Sequence, residues 1–97
     1  MEIKWNKSAI KQLLDAIKYL EDNQQLVYAE KIEKEILAKI KSLPEKSTIY
    51  QPDRLKKNND ESFYAFEVDR YRISYRKLPK EIRILRVRHS SRRPFTR

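Results

Sequence analysis

Tyr71-Arg72-Ile73-Ser74-Tyr75-Arg76 alternates without a break, with Tyr71, Ile73 and Tyr75 on one side and Arg72, Ser74 and Arg76 on the other. A period of two over six residues rich in aromatic and β-branched side chains predicts a strand with one buried and one polar face. The segments around it repeat the signal. Before it, Phe63-Tyr64-Ala65-Phe66-Glu67-Val68 is strand-like in composition, and Asp69-Arg70 is short enough to make a tight turn between the two. After it, Pro79-Lys80-Glu81 predicts a second turn into Ile82-Arg83-Ile84-Leu85-Arg86-Val87-Arg88-His89. Alternation there is imperfect. A strict period sends Leu85 and Val87 one way and Ile82, Ile84, Arg86 and Arg88 the other, so both faces should be partly covered. Three hairpin-linked strands make an antiparallel sheet.

The first half of the chain reads differently. Ile3 and Trp5 alternate with Glu2 and Lys4, which suits a short strand, and Asn6 or Ser8 can cap the helix that follows. Ile10, Leu13, Leu14, Ile17 and Leu20 recur at spacings of three and four, a single apolar stripe interrupted at Asp22-Asn23. A second helix carries Ala29, Ile32, Ile36, Ile40 and Leu43 on one face and a solvated mix of Glu30, Lys31, Glu33, Lys34 and Lys41 on the other. Glu30–Lys34 and Glu35–Lys39 are spaced for i,i+4 pairing, and Pro44 should stop the helix. Two amphipathic helices on a short link form a hairpin. From Pro44 to Ser62 the pattern reads as a loop with local structure of its own. The expected fold is α+β, one domain over residues 1–97, in the order β-α-α-β-β-β, with the helical hairpin packed on one face of a small antiparallel sheet.

The open face of that sheet should then be basic, and the charge distribution agrees. The 97 residues carry a formal +9. Residues 1–69 hold 12 basic and 13 acidic side chains, whereas residues 70–97 hold 11 basic side chains against the single Glu81. The type of base changes as well: lysine predominates before residue 70, arginine after it. Lysine on a helix is solvated point charge, while the arginine fork grips phosphate or carboxylate in two places. A nucleic acid, a ribosome or an acidic protein is the partner class this invites.

Several chemistries are excluded. With no cysteine there is no disulfide and no thiolate metal site, and one histidine makes any metal site improbable, so no cofactor is expected. With no glycine there is no phosphate-cradling glycine loop, the usual residue for positive φ is missing, and tight turns must use Asn, Asp or Pro. No apolar run approaches a membrane span and no signal-peptide core follows Met1, so a cytoplasmic protein away from membranes is expected. His89 could act as a general acid or base, although anchoring the tail is the favoured role. Arg72, Arg76, Arg86, Arg88, Arg92 and Arg93 are the candidates for gripping an anion or for stabilising a phosphoryl group under attack. Tyr64, Tyr71, Tyr75 and Phe95 could stack on bases, but Tyr71 and Tyr75 alternate with Ile73 and are expected in the core.

The element order, the Tyr71–Arg76 segment and Ile84-Leu85-Arg86-Val87-Arg88-His89-Ser90-Ser91-Arg92-Arg93-Pro94 resemble the RelE/ParE superfamily, with Trp5, Ala9 and Leu13 similar at the start. Members are toxins of bacterial type II toxin–antitoxin modules, many of them called plasmid stabilisation proteins. The resemblance implies a cognate antitoxin that wraps the toxin in a hetero-oligomer. It also implies one of two activities. ParE-like members poison DNA gyrase. RelE-like and YoeB-like members are metal-free endoribonucleases that cut mRNA on the ribosome, driving a 2′-hydroxyl onto its own phosphate. Arg72, His89, Arg92 and Arg93 would be the catalytic candidates of a nuclease. Phe95 stands where RelE has a late tyrosine and cannot move a proton, though His89 could substitute for it, as in YoeB. The two long helices and the His89-x-x-Arg92-Arg93 ending are more similar to ParE. A non-toxic nucleic-acid-binding module is the third alternative.

Overall fold

The computed structural model describes residues 1–46, 51–53 and 56–89. The chain runs β1 (Glu2–Trp5), α1 (Lys7–Asp22), α2 (Leu26–Lys46), β2 (Gln51–Pro52), β3 (Phe63–Val68), β4 (Tyr71–Lys77) and β5 (Glu81–His89). The five strands form one sheet in the order β1-β5-β4-β3-β2. The β3, β4 and β5 pairings are antiparallel, as the hairpin spacing requires. β1 instead lies parallel to β5, with Ile3 opposite Ile82 and Trp5 opposite Ile84, so the sheet is mixed rather than wholly antiparallel. The intervening helical hairpin supplies the crossover that a parallel neighbour needs.

One core lies between the helices and the sheet. Ile32, Ile36 and Leu43 of α2, Val68 of β3, Ile73 and Tyr75 of β4, and Ile82 and Ile84 of β5 are its fully buried large side chains. Tyr71 is buried as well, so both strand tyrosines are core residues. Each aliphatic side chain so placed contributes about 1.5–3 kcal/mol from burial. The rings of Tyr64 and Tyr75 stack at 5.5 Å, and Phe66 meets Tyr75 at 6.2 Å.

The α1 stripe differs from its expected form. Ala9, Leu13 and Leu20 are buried, Ala16 and Ile17 pack partly against the core, and Ile10 and Leu14 face solvent. The core-facing arc includes two small alanines that a count of large apolar residues passes over. They let α1 lie close to β5, where Gln12 Oε1 accepts a 2.8 Å hydrogen bond from the Val87 backbone N–H. β1 pairs β5 only as far as Ile84. Gln12 thus serves an edge amide that β1 does not reach.

Three further expectations are corrected. Asn6 occupies the α1 cap position without a side-chain cap bond, because its Oδ1 accepts from Arg83 Nη1 at 3.3 Å. α2 continues past Pro44 to Lys46. Proline forfeits one donor to the preceding turn, and the helix ends within a turn of it rather than at it. Glu30–Lys34 and Glu35–Lys39 do not pair; the helical ion pairs among the described residues are Lys11–Asp15 and Lys18–Asp22. Without glycine, four of the described residues take positive φ: Gln24 at 61°, Asn58 at 56°, Glu61 at 72° and Asp69 at 52°. Asn58 and Asp69 are the residue types expected there, whereas Gln24 and Glu61 are not.

A candidate arginine interface on the open sheet face

The imperfect pattern of β5 resolves into a β-bulge. Ser74 is opposite Arg86 and Tyr75 is opposite Ile84, so Leu85 has no partner across the ladder. The extra residue shifts the alternation by one position. Ile82, Ile84 and Val87 therefore all reach the core, against the strict-period reading that separated Val87 from the two isoleucines. Arg83, on the near side of the bulge, and Arg86 and Arg88, beyond it, stand with Arg72 and Arg76 on the face away from the helices.

Packing so much like charge on one face has a cost. Arg72 is directly opposite Arg88, and Arg76 is directly opposite Arg83. Like charges in such positions repel. Carboxylates lie against three of these arginines, two of them from the segment before β3. Asp53, next to β2, accepts from Arg72 Nη2 at 2.7 Å, with side-chain exposures of only 22% for the arginine and 11% for the aspartate. Asp60 Oδ2 lies 3.4 Å from Arg76 Nη2, and Ser62 Oγ accepts from Arg76 Nε at 3.0 Å. Glu81 accepts from Arg83 Nε at 2.9 Å.

The segment bearing two of these carboxylates is held by its own polar groups. Asn59 is the hub. Its Nδ2 donates to the Phe63 carbonyl at 2.9 Å, and its Oδ1 accepts from the backbone N–H groups of Glu61 and Phe63 at 2.8 and 3.2 Å. Asp60 accepts from the Ser62 backbone N–H at 3.0 Å and from its hydroxyl. These bonds from Ser62, and then the nearby Arg76 charge, hold the Asp60 carboxyl below its ordinary value. Lys56 and Arg76 lie over the Phe63 ring at 4.5 and 4.7 Å. The Asp53 backbone N–H donates to the Phe63 carbonyl at 2.9 Å, and the Lys56 N–H donates to the Asp53 carbonyl at 3.2 Å.

The expected site residues thus separate. Arg72, Arg76, Arg86 and Arg88 share one face. His89 does not join them: it is opposite Tyr71 in the ladder and meets that ring edge-on at 5.1 Å, on the helix-covered side. Arg72 and His89 project from opposite faces of the sheet. Arg92, Arg93 and Phe95 lie outside the described residues. Sequence reading missed Asp53, Asn59, Asp60, Ser62 and Arg83. Nothing local signals Asp53, Asp60 or Ser62 as partners of this face, because 14 to 19 residues separate them from the arginines they meet, while Asn59 acts only through local bonds that hold the turn. Arg83 was legible as a basic strand residue but not as a member of this face without the bulge.

Residues 3–94 match the sequence profile of the family described as ParE toxin of type II toxin-antitoxin system, parDE. The chain belongs to that family. The fold is shared with a solved chain of the chromosomal ParDE TA system from P. aeruginosa, at a TM-score of 0.72 and 20% identity over 92% of this chain and 95% of that one. No curated protein sequence matches significantly. This ParE-family toxin therefore presents an arginine face built on β4 and β5. Its helices include none long and apolar enough to cross a membrane among the described residues. No group of three or more metal-ligating side chains comes together among those residues either.

Proposed function

We propose that this ParE-family toxin acts in the cytoplasm by inhibiting DNA gyrase and is neutralised by a cognate antitoxin. The observation that carries the reading is the profile match over residues 3–94, taken together with the separation of Arg72 from His89. A ribosome-dependent nuclease built on those two residues needs them to converge on one phosphate. Here one is engaged by Asp53 beneath the open face and the other packs on Tyr71. Arg76, Arg83, Arg86 and Arg88 remain as the described part of a target-binding face, with Arg92 and Arg93 continuing the same charge in the sequence.

The solved relative comes from a system that pairs toxin with antitoxin, which supports a dedicated partner here. Ile10 and Leu14 on α1 and Leu37 on α2 are large apolar side chains left exposed, as are Tyr19, Leu26 and Val27 around the hairpin tip. Exposed apolar groups of this number favour coverage by another chain. An acidic antitoxin would also offset the arginine charge.

Controlled induction of the chain tests the reading. Growth should stop with DNA-damage signalling and intact mRNA, and co-expression of the adjacent upstream open reading frame should restore growth. Codon-positioned mRNA cuts that vanish in Arg72→Ala would establish the nuclease alternative. Harmless expression with strongly salt-dependent oligonucleotide binding would establish the nucleic-acid-binding module.

A further inference from the structure

Two aspartates from one segment, Asp53 and Asp60, meet two arginines four residues apart on one face of β4. The arrangement is that of an acidic peptide laid across a basic sheet, except that the peptide belongs to the same chain. We infer that Asp53 and the turn at residues 56–62 form an intramolecular acidic strap that occupies the carboxylate sites of Arg72 and Arg76, and that an acidic peptide segment of a partner protein takes the same sites when the strap is displaced.

Three observations favour a displaceable cover over a fixed part of the sheet. Among the described residues the ladder behind the strap is short: β2 pairs β3 through Gln51–Ala65 and Pro52–Tyr64, with one further bond from the Asp53 N–H to the Phe63 carbonyl. The outer latch is loose, since the Arg76–Asp60 pair is 3.4 Å long and more than a third exposed on both sides. The turn also places Glu61 at a φ of 72°, a conformation that this residue type keeps only while its surroundings hold it. The inner latch, Arg72–Asp53, is short and mostly buried, so release proceeds from the Asp60 end.

The chemistry favours carboxylates over nucleic acid as the incoming ligand. Both sites are already fitted to carboxylate oxygens. The aromatic ring best placed for a base, Phe63, is engaged by the cations of Lys56 and Arg76, so it offers no open stacking platform beside the arginines. The inference concerns this face whichever target the toxin meets, and failure of the gyrase reading leaves it standing.

The test titrates a fluorescein-labelled hexaglutamate peptide, and separately a duplex oligonucleotide, into the folded toxin and three variants. Asp53→Asn with Asp60→Asn removes both latches. Asp60→Asn alone removes the exposed one. Asp15→Asn with Asp22→Asn is the control: it removes two carboxylates that pair with lysines rather than arginines, on α1, and changes net charge by the same amount as the double strap variant. Hexaglutamate should bind the double strap variant about fivefold more tightly than the parent and the Asp60→Asn variant about twofold, while the control stays within about 1.5-fold. The duplex should gain no more from the strap variants than from the control. An equal gain in the control overturns the strap, because charge alone would then explain the binding. No gain in either strap variant with helical circular dichroism retained overturns it too. If the double variant does not fold, absence of a gain in Asp60→Asn is decisive. A larger gain for duplex than for hexaglutamate overturns the ligand class.

Discussion

The outer surface of the helical hairpin and the open face of the sheet both carry ion pairs, and the two sets do different work. On α1, Lys11–Asp15 and Lys18–Asp22 are local i,i+4 pairs at 2.8 and 3.0 Å, with every partner more than 60% exposed. On the sheet, Arg72–Asp53 is only slightly shorter at 2.7 Å, yet it joins residues 19 apart and is largely buried. Distance alone would rank these pairs together. Burial and sequence separation distinguish a solvated ornament from a tie that closes the chain over the sheet. The lysine-to-arginine switch along the sequence marks the same boundary in chemical terms.

The largest expected effect comes from cutting the buried tie. Arg72→Ala leaves Asp53 without its guanidinium partner in a mostly enclosed site and should lower unfolding free energy by about 2–3 kcal/mol, measured by urea titration. A double-mutant cycle with Asp53→Ala should return a coupling clearly above that of an α1 pair. Coupling as small as that of Lys11–Asp15 would erase the contrast. Next in size is Gln12→Ala, which removes the acceptor of the Val87 amide. A loss of about 1–2 kcal/mol is expected, with faster hydrogen exchange at Val87 in particular. Smaller again, Lys11→Ala should leave the urea midpoint close to that of the parent, because the pair it removes is solvated.

The weakest effects divide by pH. Asp60 is held below its ordinary 3.8, so its contribution is present above that value and is lost as pH falls through the lower folded value. Lys11 and Lys18 are raised from 10.5, chiefly by their hydrogen bonds to Asp15 and Asp22. Their contributions are full below that value and disappear as pH rises through the higher folded values. Asp60→Asn should therefore flatten the acid limb of a stability–pH profile and leave the alkaline limb unchanged. Lys11→Ala with Lys18→Ala should do the reverse. A change on the same limb in both variants would mean that strap and helix are not electrostatically separate.

The parts of the molecule that were legible in the sequence are those governed by period. Tyr71 to Arg76 assigned its own two faces, and α2 placed Ala29, Ile32, Ile36, Ile40 and Leu43 in the core at helical spacing. The rest depended on residues that period cannot see. Ala9 and Ala16 turn α1 onto its small side, which exposes Ile10 and Leu14. Leu85 interrupts the alternation of β5, and only the ladder register tells a bulge from a strand covered on both faces. The arginine face itself was readable from charge. Its occupation by Asp53 and Asp60 was not, since a contact across 16 or 19 residues leaves no trace in local spacing. His89 was identified as a candidate from its chemistry, but its face was fixed only by pairing with Tyr71.

The most direct test of the central claim is a supercoiling assay with purified DNA gyrase, the toxin and relaxed plasmid, run beside an Arg86→Ala, Arg88→Ala variant that leaves Arg72–Asp53 untouched. The account predicts that the wild-type toxin blocks supercoiling and that the variant, folded to the same helical content, loses most of that inhibition. Undiminished supercoiling at saturating wild-type toxin would contradict it.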